Sequence, residues 1–347
     1  MNNLFFELLQ VALGTRVELS RVPNAHEWGA MYNEAERQAV VGVMLSGLER
    51  LPAEQLPPIE VKLQWIGMVQ MIEAEYRLHC ERAVELTRRF RSVGFQCRVL
   101  KGVGMAQYYP EPARRQCGDI DLWVDGRRED VIKWLRTQCK IEHHVWHHVD
   151  ALFFKDVSVE VHVHPAWMYG PSRNRILQKF FDCELFGCHE TENTGLGFNV
   201  PTIGFDAVFS LVHSFHHLLE EGVGLRHIID YYYILLKFEG ESIELREETF
   251  RVTKSIGLGK FTAAMMWVLR DVCGMPASEL LCEPNENEGK FLLKEIMAGG
   301  NFGQTRQDGK DRNTIRRWMM MVKHYPCEVL WIVPWKVWHR VWMAIHN

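Results

Sequence analysis

Residues 97–124 read CRVLKGVGMAQYYPEPARRQCGDIDLWV, and within them Asp119 and Asp121 stand two apart in a strand-like run directly after Gly118. A strand has a side-chain period of two, so Asp119, Asp121 and Trp123 point to one side and Ile120, Leu122 and Val124 to the other. The apolar face anchors the strand. Carboxylates at adjacent same-face positions repel unless a cation sits between them, and hard oxygen ligands of this kind suit magnesium or manganese. The Asp-apolar-Asp triplet arises often by chance, so its surroundings decide its weight.

Upstream, CRVLKG reads as a buried strand ending in Lys101 and Gly102, followed by Gly104 and a short helical stretch to Tyr109. Strand, glycine turn and helix form a phosphate-handling arrangement, because glycines let backbone amides approach phosphate oxygens and a helix N-terminus adds positive potential. Downstream, a helical segment runs from Arg127 to Lys140, and residues 145–164 (VWHHVDALFFKDVSVEVHVH) predict a β-hairpin turning near Lys155 and Asp156. Its second strand places Glu160 on a face shared with His162 and His164.

This constellation resembles the polymerase-β-like nucleotidyltransferase superfamily, and more closely a bacterial family described as uncharacterised nucleotidyltransferases. The closer resemblance rests on Leu100-Lys101-Gly102, Arg115 four residues before Asp119, the GDIDLWV run at 118–124, VEVH at 159–162 and a later LRHIIDY at 225–231. It covers about 70 residues well and the helical tail loosely. The resemblance implies Asp119 and Asp121 as metal ligands and Glu160 as the third carboxylate. Two departures stand out: the turn reads Gly102-Val103-Gly104 where the superfamily has Gly-Gly or Gly-Ser, and the gap from Gly102 to Asp119 is long.

Composition bounds the rest. The 347 residues are 47% hydrophobic and 11% aromatic, with 12 tryptophans, which places the chain among ordered globular proteins. No Pro-, Gly- or Ser-rich linker breaks it, which favours closely packed subdomains. A formal charge of −4 provides no global positive field to gather nucleic acid. Nine cysteines without a CxxC pair predict reduced thiols in a cytoplasmic protein. The start, MNNLFFELLQ, lacks a basic n-region and reads as an amphipathic helix. No apolar run reaches the ~18 residues needed to span a bilayer. Trp331, Trp335, Trp338 and Trp342 are spaced as a helical stripe, which favours docking onto the protein body over an interfacial membrane role.

The expected fold is α+β: a small mixed β-sheet nucleotidyltransferase core at 96–168, flanked by an N-terminal helical region at 1–95 and a C-terminal helical region at 169–347. In the first region, helices are expected near Leu4 to Leu13, near Trp28 to Leu51, and from the Pro57-Pro58 break toward Arg91.

Around the carboxylates, Lys101, Gly102, Gly104 and Arg115 are candidates for nucleotide or phosphate binding, an ammonium and a guanidinium offsetting phosphate charge. The plainer alternative is a surface ion pair of Lys101 or Arg115 with Glu111, and of Arg114 or Arg115 with the aspartates. His162 and His164 are candidates for holding a carboxylate or contacting phosphate. The histidines at 143, 144, 147, 148, 162 and 164 raise a structural zinc site, but alternation splits 143 from 144 and 147 from 148 across two strand faces. In the helical region His213 and His217 lie one turn apart, as do Arg226 and Asp230, read as an ion pair or as the acceptor side of a site. Cys117 has nothing adjacent that would activate it.

The chemistry the resemblance implies is metal-dependent transfer of a nucleoside monophosphate from a nucleoside triphosphate, ATP by default, to an unidentified acceptor hydroxyl with release of pyrophosphate. The cofactor is magnesium or manganese, and neither nucleic-acid binding nor a membrane span is expected. The alternative is a catalytically weak nucleotide-sensing or partner-binding module, including a toxin or antitoxin component. It draws on the altered glycine turn.

Overall fold

The computed structural model describes residues 3–185, 192–193, 195–301 and 314–346. The chain opens with α1 (Asn3–Leu13), α2 (Ala25–Arg37), α3 (Val41–Arg50) and α4 (Ile59–Arg91). The expectation of one helix from Trp28 to Leu51 is corrected by a break. Ala39 adopts φ +55, its N–H donates to Glu36 O and the Val40 N–H donates to Ala35 O. That pair of bonds is the left-handed helix closure usually built on glycine. No glycine or proline marked it in the sequence.

The sheet follows: β1 (Cys97–Val99), then α5 (Val103–Ala106) and a 3-10 turn (Pro112–Arg114), then β2 (Ile120–Val124), α6 (Arg128–Gln138), β3 (Lys140–His144), β4 (His148–Leu152) and β5 (Val159–His162). Its strand order is β1-β2-β5-β4-β3. Only β2 and β5 pair in parallel; the other neighbours are antiparallel. The hairpin expected at 145–164 is present as β4 and β5. The helix expected to reach Lys140 stops at Gln138, and β3 follows where no strand is expected. KIEHH holds a single aliphatic residue, and an edge strand needs no apolar alternation to be stable.

Beyond the sheet come α7 (Pro171–Leu185), a two-stranded ribbon of β6 (Glu192–Asn193) and β7 (Asn199–Val200), then α8 (Ile203–Glu220), α9 (Leu225–Lys237), α10 (Ile243–Ser255), α11 (Gly259–Asp271), α12 (Glu286–Gly299), α13 (Thr314–Met321) and α14 (Pro326–His346). Among the described residues no helix is long and apolar enough to cross a membrane.

The strand alternation read from GDIDLWV separates two cores. Ile120, Leu122 and Val124 pack with Ala83, Leu86 and Phe90 of α4, and with Val131 and Leu135 of α6. Trp123 points the other way into a larger core shared by the helices of both chain ends. There it stacks on Phe205 of α8, with ring centroids 5.0 Å apart. Helix α4 serves both cores, since Trp65, Val69 and Ile72 lie in the larger one and its second half covers the sheet. The tryptophan stripe of α14 docks in part. Trp335 stacks on Trp167 at 5.2 Å and the Arg128 guanidinium lies 4.7 Å over the Trp342 ring, while Trp331 and Trp338 stay 45% exposed.

One close approach places the segment that leads into β2. A Cβ on Gly42 of α3 would lie 2.1 Å from the carbonyl oxygen of Arg114, so only glycine lets the 3-10 turn press against this helix. Gly42→Ala is expected to destabilise the protein by about 1–3 kcal/mol, the usual cost of overpacking against backbone. Chemical denaturation followed by circular dichroism checks it; an unchanged midpoint would contradict the packing argument.

Candidate active site

The parallel register of β2 and β5 sets Asp121 directly opposite Glu160. Asp119 lies one residue before β2 begins, and one oxygen from each of the three carboxylates falls within 4.8 Å of the others. Asp121 is fully buried. Its Oδ1 receives the Lys101 ammonium at 2.9 Å and the His162 Nε2–H at 2.9 Å, and the same His162 nitrogen lies 3.2 Å from Glu160 Oε2. Asp121 Oδ2 is buried with no hydrogen-bond partner among the described residues. Three carboxylates thus face two cations, Lys101 and His162, and one buried carboxylate oxygen is left over. A buried acceptor without a partner is costly, and a divalent cation with oxygen preference would satisfy both the spare atom and the spare charge.

Lys101 reaches this position because the Leu100 N–H donates to Asp121 O, which fixes the end of β1 beside β2. The chain then turns at Gly102, with φ +55 and ψ −119, a region that favours glycine. A Cβ there would meet the Asp119 carbonyl oxygen at 3.2 Å. The long excursion from Gly102 to Asp119 therefore returns to its starting point, through α5 and the 3-10 turn. Gly104 does not reach the site. It is buried in α5, its N–H donates to Lys101 O, and a Cβ on it would clash with Val99 O at 2.5 Å.

The charges hold one another. Burial alone would raise the Asp121 carboxyl, but Lys101 and the His162 hydrogen bond outweigh it and keep the carboxyl below its usual range. Glu160 follows the same logic, burial being outweighed by His162, His148 and Lys101, and falls to about 2. Burial would lower His162, yet its bonds to Asp121 and Glu160 lift it to about 9. An imidazole raised in this way stabilises the fold fully below its unfolded value of about 6.5 and loses that contribution as pH rises through the folded value. Glu160 contributes above its ordinary value and loses its contribution as pH falls toward 2. In metal-free protein, His162→Gln is accordingly expected to lower stability most between about pH 5 and 6.5, by on the order of 1 kcal/mol or more, and progressively less toward pH 9.5. Thermal melts of both proteins across this range test it; a constant difference would remove the charge argument.

The opposite wall of the cavity comes from α8 and α9. Helix α8 is capped by Thr202, whose side chain accepts the Phe205 N–H, and its cavity face carries Ser210, His213, Ser214 and His217. Helix α9 contributes Arg226, His227 and Asp230, and the cavity volume is about 410 Å³. Arg115 is buried and grips Asp230 with two bonds, Nε to Oδ1 at 2.7 Å and Nη2 to Oδ2 at 2.8 Å. The Tyr109 hydroxyl donates to the same Oδ1 at 2.7 Å. This corrects the expected Arg226 with Asp230 pair: the bidentate partner of Asp230 comes from the loop before β2, and Arg226 donates to Gln116 O at 3.2 Å. It also replaces the surface pairing with Glu111, since Lys101 holds Asp121 and Arg115 holds Asp230. Arg114 pairs with Glu49, on the far side of the turn.

The structure thus brings Lys101, Gly102, Arg115, Asp119, Glu160, His162, Arg226 and Asp230 to one cavity, with Asp121 bonded to Lys101 and His162 from beneath. His164 is not among them. It stacks on Trp146 at 4.2 Å, and burial pushes it down to about 4. His147 and His148, expected on opposite faces, both line the cavity, because residue 147 belongs to the bend before β4 and strand alternation does not govern it. Burial raises the Cys117 thiol to about 11, despite the nearby Arg115 and Arg226, which keeps it protonated. The meeting of His213, His217 and His227 has no signal in the sequence. The spacing of 213 and 217 was visible, but not the docking of α8 against the N-terminal turn of α9. Burial pushes His213 and His227 well below the ordinary imidazole range, so both rings are neutral.

Comparison with known proteins adds one match. Residues 24–274 match a family model described as an uncharacterised nucleotidyltransferase, a span that includes every residue of the cavity walls. No curated protein and no solved structure matches the chain.

Proposed function

Because the chain belongs to this family of uncharacterised nucleotidyltransferases, we propose that it moves a nucleoside monophosphate from a nucleoside triphosphate to an acceptor hydroxyl, releasing pyrophosphate, in the cavity between the sheet and helices α8 and α9. The observation that carries this reading is the convergence of Asp119, Asp121 and Glu160, with oxygens within 4.8 Å of one another, beside the Gly102 turn. Asp119, Asp121 and Glu160 would hold magnesium or manganese. Such an ion supplies positive charge to phosphate oxygens as charge develops on them.

The protein's own groups have defined parts. His162 bonds both Asp121 and Glu160, so it orients two of the three ligands at once. Lys101 neutralises Asp121 before anything binds and lies on the cavity wall, where its ammonium can turn to a triphosphate once a cation takes over that charge. Gly102 leaves room for phosphate beside the carboxylates. Arg115, committed to Asp230, shapes the far wall, and Arg226 adds positive charge there. We take the core as polymerase-β-like, the protein as cytoplasmic, and ATP as the first triphosphate to test. The acceptor is a hydroxyl compound small enough for a cavity of about 410 Å³, or a terminus that enters it.

The test is pyrophosphate release from each nucleoside triphosphate with magnesium or manganese, in the presence of a panel of alcohols, sugars, proteins and RNA ends. Release that requires the metal and is lost in Asp119→Asn supports the reading. A second reading, nucleotide binding without turnover, draws on Gly104, whose amide is spent on Lys101 O and so offers nothing to phosphate. Calorimetric binding of ATP without pyrophosphate release would favour that one.

A further inference from the structure

We propose that His213, His217 and His227 form a second metal site, for a transition ion of the zinc class, on the α8 and α9 wall of the cavity. The proposal is independent of the nucleotidyl-transfer reading. His213 and His217 lie one helical turn apart on α8 and so share a face. His227, the third residue of α9, brings the third ring. The ring centroids are 4.4, 5.2 and 5.7 Å apart, and one nitrogen of each histidine lies within 4.8 Å of the others.

The rings are also aimed. His213 Nε2 and His217 Nε2 are 3.0 Å apart. Two nitrogens bound tetrahedrally to zinc at about 2.0–2.1 Å stand roughly 3.3 Å apart, so a small adjustment admits the ion between them. The other nitrogen of His217, Nδ1, lies 3.3 Å from Glu221 Oε2. A carboxylate in that place holds the proton on Nδ1 and leaves the Nε2 lone pair directed at His213, the arrangement that orients metal-bound histidines. His227 Nδ1 takes the Gly224 N–H at 3.4 Å. Ligation through its Nε2 would place a proton on Nδ1 and give up this long contact.

Two sites of different preference then face each other. Imidazole nitrogens favour zinc, cobalt or nickel, whereas the carboxylates of Asp119, Asp121 and Glu160 favour magnesium or manganese. Three protein ligands leave the fourth position of a tetrahedral ion open, and all three histidines line the cavity. The competing account is a hydrogen bond from one Nε2–H to the other Nε2, with no ion.

Equilibrium dialysis of the chelator-stripped full-length chain against zinc, and visible spectra with cobalt, separate the two without any need for turnover. One zinc per chain and tetrahedral cobalt absorption are expected. His217→Ala should weaken zinc binding by more than about 100-fold, Glu221→Gln by about 10-fold, and His227→Ala by less than His217→Ala. Asp119→Asn should bind zinc like the parent. Circular dichroism accompanies each variant, and the exposed Glu221 change keeps the test valid if a histidine variant unfolds. Absence of zinc uptake by the folded parent, uptake unchanged in both His217→Ala and Glu221→Gln, or uptake lost in Asp119→Asn overturns the proposal. None of these results bears on whether nucleotides are processed.

Discussion

Asp119→Asn and Asp121→Asn are expected to reduce pyrophosphate release alike, by roughly three orders of magnitude, and to differ sharply in stability. Asp119 is half-buried ahead of β2, and among the described residues it acts on Lys101 and Arg226 by charge alone, with no side-chain hydrogen bond or ion pair that its loss would break. Its replacement should leave the unfolding midpoint close to the parent's. Asp121 is fully buried and accepts both the Lys101 ammonium and the His162 imidazolium. Replacing it leaves two cations side by side without their shared counter-charge, and breaking a buried pair from one side costs about 3–5 kcal/mol. Denaturation curves beside activity measurements separate the roles. Equal stability loss in the two variants would deny that Asp121 anchors the cluster, and full activity in Asp119→Asn would remove the metal-ligand reading.

The second large effect is expected at Asp230. Asp230→Ala strips Arg115 of a bidentate partner and Tyr109 of its acceptor, all three groups being buried. The expected loss is again about 3–5 kcal/mol, mostly the penalty of stranding a buried guanidinium. The combined replacement Tyr109→Phe, Arg115→Met and Asp230→Leu removes every member of the network together. It should recover most of that stability, because well-packed apolar groups substitute for a buried ion pair at little cost. If the triple variant is as unstable as the single one, the pair contributes net stability of its own. When folded, the triple variant alters the far wall of the cavity, so its activity reports whether that wall matters to the acceptor.

These contrasts show which parts of the molecule were legible beforehand. The alternation in GDIDLWV identified the two faces of β2, and the structure gives each face its own core. VEVH was legible for the same reason, since a two-residue period carries its own register. Partnerships across long separations were not. Arg115 and Asp230 are 115 residues apart, and the local i, i+4 spacing of Arg226 and Asp230 offered a nearer but incorrect pairing. The break at Ala39 was invisible because a non-glycine residue holds a glycine-like conformation there. The wall of His213, His217 and His227 depends on two helices crossing, which no single periodicity reports.

Helix α4 has a consequence for anyone who would isolate the sheet. Its 33 residues extend about 50 Å at 1.5 Å per residue, and one rod closes both hydrophobic cores. A fragment begun at residue 96 would leave Ile120, Leu122 and Val124 without Ala83, Leu86 and Phe90, and Trp123 without Phe205 if it also ended at 168. The smallest excisable unit that keeps the carboxylates in register therefore has to retain α4 at one end and α8 and α9 at the other. Amide hydrogen exchange would register the same fact as a shared protection level along the buried positions of α4, from Trp65 to Phe90, because neither core can open without releasing the helix that seals the other.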